Sequence, residues 1–157
     1  MRSRPSIYKK GSFRYAKATV LKMKLIVCVD DGMGVTFAKK RQSKDRVLRK
    51  RILASLDGAR LFVTPYTAKQ FEEGEEGYTV HPDPVSVAGK EDFVFAEDAV
   101  ISPRTADMIF LYRWNRAYPS DRKFNFDPSR DGFSLVRKTD FEGSSHDRIT
   151  EEIYIKK

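Results

Sequence analysis

The sequence predicts an α/β fold built on one mixed sheet. Two observations carry that expectation: strand-like and helical segments alternate through the first half of the chain, and strand-like segments dominate the second. With 157 residues, 40% of them apolar and 12% aromatic, the chain has material for one core and too little for two ordinary domains.

The elements follow in order. Lys24 to Val29 is a short apolar run rich in β-branched residues and closed by Asp30, Asp31 and Gly32, which predicts an interior strand ending in a turn. Ser43 is placed to cap a helix, with Asp45 and Arg46 in its first turn. Val47, Leu48, Ile52, Leu53 and Leu56 then recur at helical spacing until Gly58 stops it. Arg60 to Thr64 is a second strand, and Pro65 opens a short helix reaching Glu73, with Ala68 and Phe71 available for packing. Tyr78 to His81 is a short extended piece, and the proline-rich stretch after it is expected to be irregular. Phe93 to Ala96, Met108 to Trp114, Phe133 to Arg137 and Ile149 to Ile155 read as further strands, the last with Ile149, Ile153 and Ile155 on one face. That order implies a sheet parallel at first, with an antiparallel edge or hairpin from the C-terminus.

The net charge of +8 suggests nucleic acid until it is located. Residues 1–22 hold seven lysines and arginines and no acid, which leaves only +1 for residues 23–157. The expected organisation is a basic extension, 1–22, followed by one domain, 23–157. The extension is either a basic arm that contacts phosphate backbones or a stretch upstream of a natural start at Met23. The one cysteine, Cys28, lies inside an apolar run, so no disulfide framework or four-cysteine metal site is available and a reducing, cytoplasmic setting fits. No apolar stretch approaches the roughly 20 residues of a membrane span, so a soluble protein without a membrane partner is expected.

Several groups are candidates for chemistry. Asp30 and Asp31 follow a strand's carboxyl end, where open α/β sheets place ligands, although a solvated Asp-Asp-Gly turn is the ordinary alternative. The pair Gly32 and Gly34 lacks the remaining residues of a phosphate loop, which favours a flexible loop over a cleft. Asp45 can face that cleft, where burial raises its pKa and lets it hydrogen-bond an amidine-like ring such as a pterin or purine; equally, an acid there complements the helix dipole. Around Arg113 and Trp114, alternation puts Tyr112, Trp114 and Arg116 on one face and Arg113 and Asn115 on the other. Such a cluster suits a nucleotide or single-stranded nucleic acid, or else an aromatic cover for the core. Ser144, Ser145 and His146 suggest a nucleophile and a base, but nothing in the sequence places an acid to orient the ring.

Read as a whole, residues 23–157 resemble dihydrofolate reductase. The run "LIVCVDDGMGVTF" is similar to that family's first strand and mobile loop, and "RQSKDRVLRKRIL" to its substrate-site helix, with Asp45 on the catalytic carboxylate. In "ARLFVTPYTAKQF" Thr67 falls on the family's threonine, and the tail from Phe124 resembles its closing hairpin. The resemblance implies a three-layer sandwich with helices on both faces of the sheet and a ligand site that includes Asp31, Asp45 and Thr67, with Arg113 and Trp114 as outer candidates.

Departures from the family qualify the chemistry. Its reductases hold the NADPH pyrophosphate on a Gly-Gly pair, and here the matching strand ends in Glu97 and Asp98, so NADPH in the usual mode is doubtful and no cofactor is assigned. Phrases such as "LYRWNRAYPSD" also resemble short bacterial proteins labelled ribonuclease Z. That enzyme's two-zinc site needs a dense histidine cluster, which a chain with two histidines cannot build. The expected function is a reductase-fold protein that binds a nucleotide- or pterin-like ligand without efficient reduction. The alternatives are a divergent NADPH-dependent reductase and a nucleic-acid binder using the basic arm.

Overall fold

The computed structural model describes residues 22–98 and 102–157. Apart from Lys22, the basic segment 1–22 lies outside the described residues. The central strand, β1 (Met23–Val29), buries both of its faces: Met23, Leu25, Val27 and Val29 enter one apolar cluster, while Ile26 and Cys28 enter another. A strand covered on both sides has no polar alternation to offer, which is why its sequence is a continuous apolar run.

After a tight turn the chain forms a hairpin, β2 (Gly34–Phe37) and β3 (Lys40–Arg41), and then helix α1 (Arg46–Ala54). β4 (Leu61–Val63), α2 (Pro65–Ala68), β5 (Thr79–Val80), α3 (Pro84–Val87) and β6 (Phe93–Phe95) follow. The second half contributes β7 (Ala106–Arg113), β8 (Arg122–Lys123), α4 (Pro128–Asp131), β9 (Phe133–Phe141) and β10 (Ile149–Lys156). Seven strands make the main sheet in the order β5-β4-β6-β1-β7-β10-β9. The first five named run parallel, and β10 is antiparallel to both β7 and β9, so the expected C-terminal hairpin closes one edge.

Helices cover both faces. Leu48 and Ile52 of α1, with Leu56 and Phe71, pack on the face of Ile26 and Cys28. Val85 of α3 and Ala88 at its end, with Val35, Phe124 and Phe126, cover the opposite face. The three layers of the expected sandwich are therefore present. Among the described residues no helix is long and apolar enough to cross a membrane.

Three local expectations need correction. The cap of α1 is Asp45, whose backbone is extended and whose carboxylate accepts from Leu48 N–H, so the helix begins two residues after Ser43's expected start. The helix closes at Ser55 rather than at Gly58, because the cap N–H turns back to the carbonyls of Arg51, Ile52 and Leu53. The loop after β1 is not an open flap: β2 pairs with β3 and with β8 in a separate three-stranded sheet.

Candidate functional site at the carboxyl ends of the parallel strands

Three consecutive side chains span the carboxyl ends of the central strands. Arg41 reaches Glu97 beyond β6, Gln42 reaches Asp30 at the end of β1, and Ser43 reaches His146 in the loop before β10. The segment lies where open α/β sheets bind ligands, and its side chains meet groups from different strands.

Asp30 organises the turn beneath this segment. Its buried carboxylate accepts from Gly32 N–H and Gly34 N–H at 2.9 and 2.7 Å, from Tyr118 N–H at 3.1 Å and from the Gln42 amide at 3.2 Å. Burial would raise its pKa, but the bonds from Gly34, Tyr118 and Gly32 outweigh that and hold it low. Asp31, by contrast, is exposed and donates its own N–H to Arg116 O. The structure does not bring Asp31 to Asp45.

Asp45 is the most heavily engaged residue of the site. Oδ1 accepts from Leu48 N–H at 3.1 Å and Ser144 N–H at 3.0 Å; Oδ2 accepts from Ser145 N–H at 2.8 Å, Ser145 Oγ at 3.1 Å and His146 Nδ1 at 3.1 Å. Its side chain has no solvent exposure. Burial acts to raise the pKa, yet the hydrogen bonds from Ser144, Ser145, His146 and Leu48 prevail and hold the carboxyl well below the usual carboxylate range. This reverses the raised pKa expected from the sequence. A donor pair of the kind an amidine-like ring would offer is already supplied by two backbone amides of the chain itself.

His146 completes the cluster. An ionised carboxylate can only accept, so Nδ1 carries the proton given to Asp45, and in the neutral ring Nε2 accepts. Ser43 Oγ lies 3.1 Å and Tyr118 Oη 3.0 Å from that Nε2. The ring stacks on Trp114 with centroids 4.4 Å apart and an interplanar angle of 22°. The acid that the sequence did not place beside His146 is Asp45. Gly143 makes the approach feasible, because a Cβ there would overlap Asp45 Oδ2 and Cγ.

A second group gathers at the end of β6. Arg41 forms a two-pronged ion pair with Glu97, both contacts at 3.1 Å, and its guanidinium stacks over Tyr66 at 4.4 Å. Burial pushes the Glu97 carboxyl up, while Arg41 and the Thr67 hydroxyl partly oppose the shift. Thr67 is fully buried on α2, and Asp98 accepts from Thr64 Oγ1 at 2.7 Å. Beside this group lies a notch of about 320 Å³ lined by Thr36, Lys39, Tyr66, Asp98 and Arg122. Lys39 arrives there on the β2–β3 turn, in which Ala38 and Lys39 both have left-handed φ, 51° and 64°.

Arg113 and Trp114 point to opposite faces of the sheet, as alternation predicts. Arg113 pairs with Glu152 at 2.9 Å on the face away from His146, whereas Trp114 is buried against His146. Of the sequence candidates, the structure joins Asp45 to Trp114 through His146 and places Thr67 beside Glu97; Asp31 and Arg113 stand apart from both. A larger hollow of about 610 Å³ lies away from these groups, between α1 and the β10–β9 side of the sheet, lined in part by Arg51, Phe110 and Arg137.

The fold defines a class, the three-layer α/β sandwich. No protein-family model matches the chain, and no curated protein matches it. Among solved structures it is similar to dihydrofolate reductase from Enterococcus faecalis complexed with NADP(H) and RAB-propyl, at a TM-score of 0.61 and 12% identity, covering 85% of this chain and 95% of that one. The likeness establishes the fold expected from the sequence. Nothing in the comparisons supports the likeness to proteins labelled ribonuclease Z, and among the described residues no group of three or more metal-ligating side chains could hold an ion.

Proposed function

We propose that this protein of the dihydrofolate reductase fold binds a small nucleotide-like ligand in the notch beside Tyr66 and does not reduce folate efficiently. One observation carries the reading: the carboxylate that would recognise a pterin ring, Asp45, is already occupied by five donors of its own chain. Asp45 is then a positioning residue, and ligand recognition moves to the notch. There Lys39 and Arg122 supply cationic groups, Tyr66 an aromatic one, and Thr67 steadies the adjoining Glu97. Two residues of the β2–β3 turn hold left-handed backbone at a cost of roughly 1–2 kcal/mol each, and strain of this kind collects at functional sites.

The usual NADPH mode does not fit these residues. Close approach of a pyrophosphate to backbone N–H groups needs missing side chains, whereas the end of β6 carries Glu97, paired with Arg41, and Asp98, bonded to Thr64. With one buried thiol and no other cysteine, the protein suits the reducing cytoplasm.

Calorimetric titration of ADP, ATP and NADPH into the full chain tests the reading. Nucleotide binding that weakens tenfold or more in Lys39→Ala and falls with added salt is the expected result. Steady NADPH oxidation on addition of dihydrofolate would establish a working reductase instead, and no heat with any nucleotide would reject the notch.

A further inference from the structure

Beyond ligand binding, we propose that Ser43, His146 and Asp45 form a nucleophile relay, with Ser43 as an acyl-accepting group toward small esters. The components stand in the order that serine chemistry requires. Asp45 Oδ2 lies 3.1 Å from His146 Nδ1, and His146 Nε2 lies 3.1 Å from Ser43 Oγ. Relays of this kind are recognised by geometry and roles, since unrelated folds arrange the three residues in different chain orders.

Each member meets its requirement. Asp45 and His146 are buried, at 1% and 4% exposure, so the ring is held in one orientation, and the hydrogen bonds on the carboxylate keep the acid ionised against that burial. Five donors fix the carboxylate and the indole of Trp114 supports the imidazole face. Because Nδ1 must donate to the carboxylate, the neutral ring turns its lone pair toward Ser43, which is the tautomer a general base needs. Ser43 itself remains partly exposed and precedes the N-cap of α1 by two residues, near the helix end that favours developing negative charge.

The chemistry balances with water as the only co-reactant. Ser43 Oγ bonds to the acyl carbon as its proton passes to His146 Nε2; the ester C–O bond breaks, and the alcohol leaves with that proton. Water then attacks acyl-Ser43, giving one proton to Nε2, which returns it to Ser43 Oγ as the carboxylic acid departs. Tyr118 Oη, 3.0 Å from the same Nε2, is the competing hydroxyl; Ser145 Oγ lies 3.2 Å from the other ring nitrogen, Nδ1, and Ser144 is the remaining neighbouring serine.

A fluorophosphonate probe decides among them. The attacking oxygen displaces fluoride from phosphorus, and peptide mass spectrometry of the full chain locates the adduct. The expected result is an adduct on Ser43 whose rate of formation falls at least tenfold in His146→Gln, and which vanishes in Ser43→Ala. An adduct on Tyr118, Ser144 or Ser145, or on no hydroxyl, would overturn the proposal and leave the cluster as a structural staple. Locating the adduct in the unaltered chain suffices even where His146→Gln fails to fold. The experiment contains no nucleotide, so labelling of Ser43 stands or falls separately from the notch.

Discussion

Asp45 and His146, 101 positions apart in the chain, meet at 3.1 Å with both side chains buried. The contact fastens the loop before β10 to the N-terminus of α1, joining the last strand of the chain to its first long helix. The depressed pKa of Asp45 gives this contact a definite pH signature.

Replacing Asp45 with Asn removes the charge that five donors surround, and should cost about 3–5 kcal/mol at neutral pH, as breaking a buried charged network does. The sign follows from the direction of the shift. A carboxylate held below its ordinary value stabilises the fold above that value, near 4, and loses its contribution as pH falls toward the folded pKa. Urea unfolding of Asp45→Asn and the unaltered protein should therefore differ most near pH 7 and converge in acid.

Gly143→Ala tests how close the loop must come. The added methyl meets Asp45 and stands 2.9 Å from Ile149 Cδ1, so the loop must withdraw. A loss of about 1–3 kcal/mol is expected, the usual cost of overpacking. Hydrogen exchange at the Ser144 and Ser145 amides should accelerate together; unchanged protection would mean that the loop absorbs the methyl without leaving Asp45.

Arg41→Gln leaves Glu97 buried without its partner. The loss should be about 3–5 kcal/mol at neutral pH. Glu97 already has a raised pKa from burial, and losing Arg41 raises it further. A folded acid with a raised pKa gains stability as pH falls through it, so the difference between Arg41→Gln and the parent should shrink from pH 7 to pH 5. Parallel stability curves over that window would show that Glu97 stays charged or is exposed.

Lys39→Gly should separate stability from binding. Glycine accepts the left-handed backbone at this turn, so a gain of about 1 kcal/mol in thermal or urea unfolding is expected. The same change removes a cation from the notch, so nucleotide affinity should fall. Higher stability with unchanged affinity would place the ligand elsewhere.

The main sheet was legible where side chains reported burial directly. β1, β7 and β10 are long apolar or alternating runs, and α1 repeats its apolar residues at helical spacing. The sequence leaves the cap of α1 open, because Ser43 and Asp45 are both competent caps and tertiary contacts decide between them. β2, β3 and β8, with four, two and two residues, are too short to show a period. The site was least legible. Asp45, Thr67 and Trp114 stand out singly, but the ring that joins Asp45 to Trp114 comes from a distant loop. Arg41 and Gln42 suit contact with a phosphate or carboxylate and equally an exposed, charged helix entry, and the Ser-x-Asp pair that follows reads on local spacing alone as capping.

The stack between Trp114 and His146 makes the protein its own optical probe. Trp114 is the only tryptophan of the chain, and its indole lies against the His146 ring with centroids 4.4 Å apart. Its emission therefore reports on the packing of the loop that carries His146. Any acylation of Ser43, displacement of the loop or entry of a ligand beside it will register as a change in that same light, with no label attached.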